Sequence, residues 1–117
     1  MRKIEEKMIK AVLHKKSWSS GNTQVSSNDD KSTVWLHGHK IVTINWPEMS
    51  IEANDCGWAT RTTKSRLNAI LKKLSGVRLY QKRGTWLVSY TDSDIEQPWD
   101  GSMTFSASFR HLRGAPC

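Results

Sequence analysis

Between Arg61 and Arg66 the chain reads Arg-Thr-Thr-Lys-Ser-Arg. Three cations and three hydroxyls in so short a run are the chemistry of phosphate recognition, with charge-assisted hydrogen bonds from guanidinium and ammonium groups completed by neutral donors. Asn68 adds an amide, Lys72 a further cation, and Lys82 and Arg83 a second basic pair. Arg61, Lys64, Arg66, Lys72, Lys82 and Arg83 are therefore candidate phosphate contacts. Thr62, Thr63 and Asn68 are candidate hydrogen-bonding partners beside them. Cys56 to Tyr90 holds eight Lys and Arg and no Asp or Glu, while the other ten basic and eleven acidic residues nearly cancel, so one segment accounts for the whole formal charge of +7. Charge segregated in this way calls for a polyanion, with a nucleic acid the first candidate and an acidic protein the second. The segment is poor in base-reading side chains, which implies weak sequence specificity.

Other reactive residues lack the spacing that chemistry needs. His37-x-His39 could offer two imidazoles to a zinc ion, but two further ligands are missing nearby, and the reading is a pair of turn histidines without metal. Cys56 precedes Gly57, Trp58 and a helix start. The dipole there could lower a thiol pKa, yet no His is placed to act as its base, so a packed thiol is expected. Asp29, Asp30, Glu48, Glu52 and Asp55 form no nuclease motif, and no Gly-rich nucleotide loop occurs. No catalytic residue, metal or cofactor is assigned, and an enzyme is not expected.

The chain has 117 residues, enough for one domain with a modest core. No apolar run approaches the ~20 residues that cross a bilayer. The start, Met1-Arg2-Lys3-Ile4-Glu5-Glu6-Lys7, lacks the apolar region of a signal peptide, and a cytosolic setting without membrane contact is expected. Cys56 and Cys117 make no metal or redox pair and read as free thiols. Six tryptophans stand out. Trp35, Trp46, Trp58 and Trp86 are expected to pack in or beside strands, and Trp18 and Trp99 to dock over sheet edges. A tryptophan on an exposed sheet face near Lys40 or Arg78 would instead suit base stacking.

The elements that must position these groups follow from periodicity. Ile4, Met8, Ala11 and Val12 predict a helix over 3–15, with Glu5 and Glu6 in its first turn and Lys15 and Lys16 near its end. Short alternating runs predict strands at 23–26, 32–37, 41–46 and 49–53, joined by tight turns such as His37-Gly38. Leu67, Ile70, Leu71 and Leu74 predict a second helix over 60–75, capped by Thr62 or Thr63 and stopped at Gly76. A hairpin follows over 77–90, turning at Lys82-Arg83-Gly84. A short docked segment is expected near Trp99 to Phe105, then a loose tail over 106–117. The order α-β-β-β-β-α-β-β describes an α+β domain over 1–105. About five antiparallel strands would carry both helices on one face.

Helix followed by basic hairpin resembles the second half of a winged helix. The upstream order resembles a double-stranded-RNA-binding domain, whose second helix grips phosphates through its basic start. Both are likenesses of arrangement. A closer resemblance lies in the residues themselves. Met1-Arg2-Lys3-Ile4-Glu5, Trp18 with Gly21-Asn22-Thr23, Val34-Trp35-Leu36-His37-Gly38, Cys56-Gly57-Trp58-Ala59-Thr60-Arg61-Thr62-Thr63-Lys64-Ser65-Arg66-Leu67-Asn68-Ala69, and Trp99-Asp100-Gly101-Ser102-Met103-Thr104-Phe105 resemble a family of small proteins of tailed bacteriophages. The resemblance spans about residues 1–105. It implies viral origin and a host-cytoplasmic setting, and brings no established activity from which functional residues could be carried over.

Overall fold

The structure is a computed structural model that describes residues 2–58, 60–90, 93 and 95–107. Helix α1 (Lys3–Leu13) turns Glu5, Met8, Ile9, Ala11 and Val12 inward, the stripe its sequence spacing dictates. Strands β1 (Trp18–Ser20), β2 (Thr23–Ser27), β3 (Lys31–Leu36), β4 (His39–Asn45) and β5 (Ser50–Asn54) form an antiparallel meander. Helix α2 (Arg61–Ser75) follows. Strands β6 (Val77–Lys82), β7 (Thr85–Tyr90) and β8 (Gln97–Pro98) make a small second sheet, and β9 (Ser102–Ser106) returns to pair with β5.

The α+β class is as the sequence indicates, but the single sheet of about five strands is replaced by two sheets, of six and three strands. Three short strands account for the difference. β1 occupies Trp18–Ser20, where polar composition suggests only a helix end. β8 is two residues long and contains a proline, which no alternation pattern marks. β9 is the segment expected merely to dock, and its Ile51↔Phe105 and Ala53↔Met103 pairs extend the buried face.

Between β5 and β9 lies an insertion carrying α2 and the second sheet. Its neck is closed by Asp55 N–H donating to the Gly101 carbonyl at 2.9 Å, and by Trp99 Nε1 donating to Asp55 Oδ2 at 2.9 Å. The core sits between the helices and one face of the large sheet, where Val25, Val34, Val42, Ile44, Ile51 and Ala53 meet Met8, Val12, Leu67, Ile70, Leu71 and Leu74. The opposite face of that sheet is polar. Its rows follow from the register, as in Ser26, Thr33, Thr43, Glu52 and Thr104. Two hairpins turn in two residues with both φ values positive, at His37 (51°) and Gly38 (79°) and at Arg83 (53°) and Gly84 (82°). This is the geometry whose twist matches the flanking strands.

Ser106 belongs to β9, and Ala107 N–H bonds to the Met49 carbonyl at 2.7 Å. The rest of the expected tail lies outside the described residues.

Candidate nucleic-acid interface

Helix α2 begins at Arg61 with Thr60 as its cap. The Thr60 hydroxyl accepts the Thr63 N–H at 3.2 Å, and its backbone is extended. Capping thus falls to Thr60 rather than to Thr62 or Thr63. The Thr63 side chain turns inward instead, 2 % exposed, with its Oγ1 2.9 Å from that of Thr60. Thr63 is consequently withdrawn from the candidate surface.

Arg66 is withdrawn as well. It is 3 % exposed, its Nη1 lies 2.7 Å from Glu5 Oε2, and its Nε donates to Thr23 Oγ1 at 3.1 Å. Glu5 also accepts from the Ser65 hydroxyl. The guanidinium is spent on tying α2 to α1 and to β2. Its position on the helix explains this, because Arg66 shares the arc of Thr63 and Ile70, at i+3 and i+4 spacing, rather than that of Arg61.

The solvent face of α2 is the line Arg61, Ser65, Asn68 and Lys72, at i, i+4, i+7 and i+11. Arg61 and Lys72 are exposed, Ser65 and Asn68 half-buried. At its far end Gly76 takes the left-handed conformation (φ 65°, ψ 30°), and β6 runs back along the helix. Two contacts record the return. The Leu79 N–H donates to Asn68 Oδ1 at 2.9 Å, and Lys64 Nζ donates to Gln81 Oε1 at 3.5 Å. Lys64 therefore sits one residue from the exposed hairpin tip of Lys82 and Arg83. The helix start lies beside β6 just before the hairpin tip, with Lys64 near Gln81, while alternation along the strand turns Lys82 to the opposite side, toward Tyr80 and Glu96. Lys72 lies about 16 Å along the helix from Arg61, at 1.5 Å per residue. Asn68 is committed to the β6 edge, where its amide oxygen satisfies a backbone donor.

Part of the basic surface is answered from within. Lys82 Nζ lies 3.8 Å from Glu96 Oε1, in an exposed pair. The Tyr80 hydroxyl donates to Glu96 Oε2, and the Arg78 guanidinium lies 5.2 Å from the Tyr80 ring centroid. The Tyr80 phenol pKa is raised, first by this hydrogen bond to Glu96.

Beside the start of α2 opens a cleft of about 500 Å³. Its floor includes Leu36 and Ile41, and its walls carry His37, His39, Asp55, Trp58, Thr60, Thr62 and Thr63. Trp58 is 58 % exposed, against the expectation that it packs near a strand. Its ring stands 5.5 Å from that of His39, tilted by 33°. Cys56 (φ 56°) and Gly57 (φ 77°) are both left-handed and swing the indole outward, with Asp55 Oδ1 accepting the Gly57 N–H at 2.9 Å. A Gly-Trp pair just before a helix start was the signal available in the sequence. The β3–β4 turn that supplies His37 and His39 carried none.

Four other tryptophans, Trp18, Trp46, Trp86 and Trp99, pack against the core. Trp35 does not. It lies half-buried on the polar face of the large sheet, paired with Gln24 on one side and Lys40 on the other. This is the arrangement that suits a base-stacking platform. Among the described residues no group of three or more His, Cys, Asp or Glu is placed to hold a metal ion, so His37 and His39 gain no third ligand. Nor does Cys56 carry an activated thiol. Its Sγ donates to the Lys40 carbonyl at 3.0 Å, and its pKa is pushed up, first by burial and then by the Asp55 charge.

Residues 1–106 match the family described as Kyanoviridae Gp96 protein. The chain belongs to this family. The match ends at Ser106, the last residue of β9, so it takes in every helix and strand among the described residues. Gp96 proteins are phage proteins, in agreement with the resemblance read from the Thr-Thr-Lys-Ser-Arg-Leu-Asn-Ala stretch. No curated protein and no solved structure matches the chain. Among the described residues of this Gp96 protein, no helix is long and apolar enough to cross a membrane.

Proposed function

We propose that this phage protein is an accessory factor that binds nucleic acid in the host cytoplasm, with weak sequence specificity and without catalysis. The observation that carries the reading is the return of β6 along α2, with Lys64 Nζ 3.5 Å from Gln81 Oε1, so that the basic start of α2 lies beside the strand that leads to Lys82 and Arg83. A basic helix start beside a basic hairpin suits a run of phosphates better than a single acidic side chain. Thr62 stands beside them as a neutral donor, and Lys72 extends the contact along the helix.

The test is a salt-titrated binding assay with DNA and RNA, comparing the intact protein with the Arg61→Glu, Lys64→Glu, Arg83→Glu triple variant. Loss of binding with an unchanged thermal melt supports the site. Binding that persists in the triple variant refutes it.

A second reading is a host-takeover protein that binds an acidic host target. Trp58 favours it, since an exposed indole beside Arg61 has the composition of a protein hot spot. A host partner retained by the intact protein after nuclease treatment, and lost with Trp58→Ala, would favour this alternative.

A further inference from the structure

We infer that the cleft beside Trp58 receives one unpaired nucleobase, so that the protein selects single strands over duplex. This rests on the nucleic-acid reading above and adds to it the strand form and the seat of a base.

The cleft has the volume of a small-molecule site, about 500 Å³ against a range of ~300–1,000 Å³ for such pockets. Its chemistry is graded as a nucleotide is graded. Leu36 and Ile41 offer an apolar floor, and the Trp58 indole a π face left largely in water. His39 backs that indole at 5.5 Å, which limits its swing and presents a held ring rather than a free one. Thr62 on the wall offers a hydroxyl to a base edge. Arg61, exposed at the start of α2 three residues after Trp58, supplies a cation for a flanking phosphate. A flat heteroaromatic ring with a phosphate beside it meets all three zones, whereas an aliphatic or acidic peptide side chain meets only one.

A base within a duplex cannot enter such a cleft without leaving its stack, a cost that an unpaired strand does not incur. A second platform lies close by. Leu36 and His39 form the last rung of the β3–β4 hairpin, and the next rung is Trp35 opposite Lys40, on the other face of the sheet. A strand leaving the cleft over the His37-Gly38 turn meets an indole and an ammonium group one rung on. Stacking on an indole is tolerant of sequence, in keeping with weak specificity.

The experiment is fluorescence anisotropy with labelled 12-nucleotide single-stranded DNA, single-stranded RNA and the corresponding duplexes. The proteins are the intact chain, Trp58→Ala, Trp58→Phe and Arg61→Glu. Intact protein is expected to bind one or both single strands at least tenfold more tightly than duplex, and the DNA and RNA arms tell which source supplies the base. Trp58→Ala should lose about tenfold in single-strand affinity while its weaker duplex binding and salt slope stay put. Trp58→Phe should keep most of the affinity, which separates lost stacking from lost folding. Arg61→Glu should weaken both forms together. Equal binding of single strand and duplex, or single-strand affinity in Trp58→Ala within twofold of intact, overturns the inference and leaves the nucleic-acid reading standing. No binding to any of the four probes overturns both.

Discussion

Glu5 and Arg66 meet 2.7 Å apart beneath α2, each side chain 4 % exposed, and they join the first helix to the second across 61 positions of the 117-residue chain. Ser65 and Thr23 add to the pair, so Glu5 Oε2 accepts from both Arg66 and Ser65 while the guanidinium reaches both Glu5 and Thr23. Removing one member leaves the other charged and buried without a partner, which costs about 3–5 kcal/mol. Arg66→Met and Glu5→Gln are each expected to lower stability on that scale in urea denaturation. The double variant Glu5→Leu, Arg66→Met should recover much of the loss. Additive losses would show that the two side chains do not act as a pair.

Salt dependence reports how many phosphates are neutralised. If Arg61, Lys64, Lys72, Lys82 and Arg83 each neutralise one, the log–log slope of single-strand affinity against salt is about −3.5, at ~0.7 per contact. Lys72→Gln should flatten it by about 0.7. An unchanged slope would remove Lys72 from the contact surface.

Glu96 competes with any external anion for the hairpin. It faces Lys82 at 3.8 Å and accepts from Tyr80. Glu96→Gln is expected to tighten nucleic-acid binding a few-fold while changing stability by less than about 1 kcal/mol, since the pair is exposed. Weaker binding in Glu96→Gln would mean that Glu96 orders the hairpin rather than opposing the ligand.

Asn68 carries a structural duty inside a basic segment. Its Oδ1 accepts the Leu79 N–H at 2.9 Å, on the edge of β6 that has no strand neighbour. Asn68→Ala leaves that donor without its partner, at a cost of about 1–2 kcal/mol in denaturation, with β6 amide exchange accelerated near Leu79. Asn68→Ala as stable as the intact protein would show the bond to be dispensable.

Cys56 should react sluggishly. Burial and the Asp55 charge raise its pKa, so the neutral thiol persists to higher pH than in an ordinary cysteine, and the thiolate appears only above that range. In a Cys117→Ser background, alkylation of Cys56 at pH 8 should run slower than for a free cysteine. Its pH–rate midpoint should lie above the ordinary thiol value. Asp55→Asn should move that midpoint downward.

Both helices were legible from their apolar spacing, and the tight turns from Gly38 and Gly84, because those signals are local. Arg66 was not. A cation two residues from Lys64 reads as one more surface charge until Glu5, at the far end of the sequence, is known to lie under it. The second sheet escaped notice for a similar reason, as β8 is a proline-containing pair of residues held by Leu87 and Val88 across a register that only the fold defines. The charge of the 56–90 segment was legible, but which of its cations stay in solvent was not. The direction of β6 along α2 is set by Gly76, and composition does not encode it. Trp58 was misjudged because an indole usually marks a core, and two left-handed residues before it turn this one outward.

The neck at Asp55 and Gly101 also fixes an order of events during synthesis. Strand β5 leaves the ribosome well before β9, and everything between them must be made first. Helix α2, the β6–β7 hairpin and the Trp58 cleft can therefore take shape on a five-stranded sheet whose β5 edge is still bare. Among the described strands β9 is made last, and it covers the β5 edge that could otherwise pair with a neighbouring nascent chain.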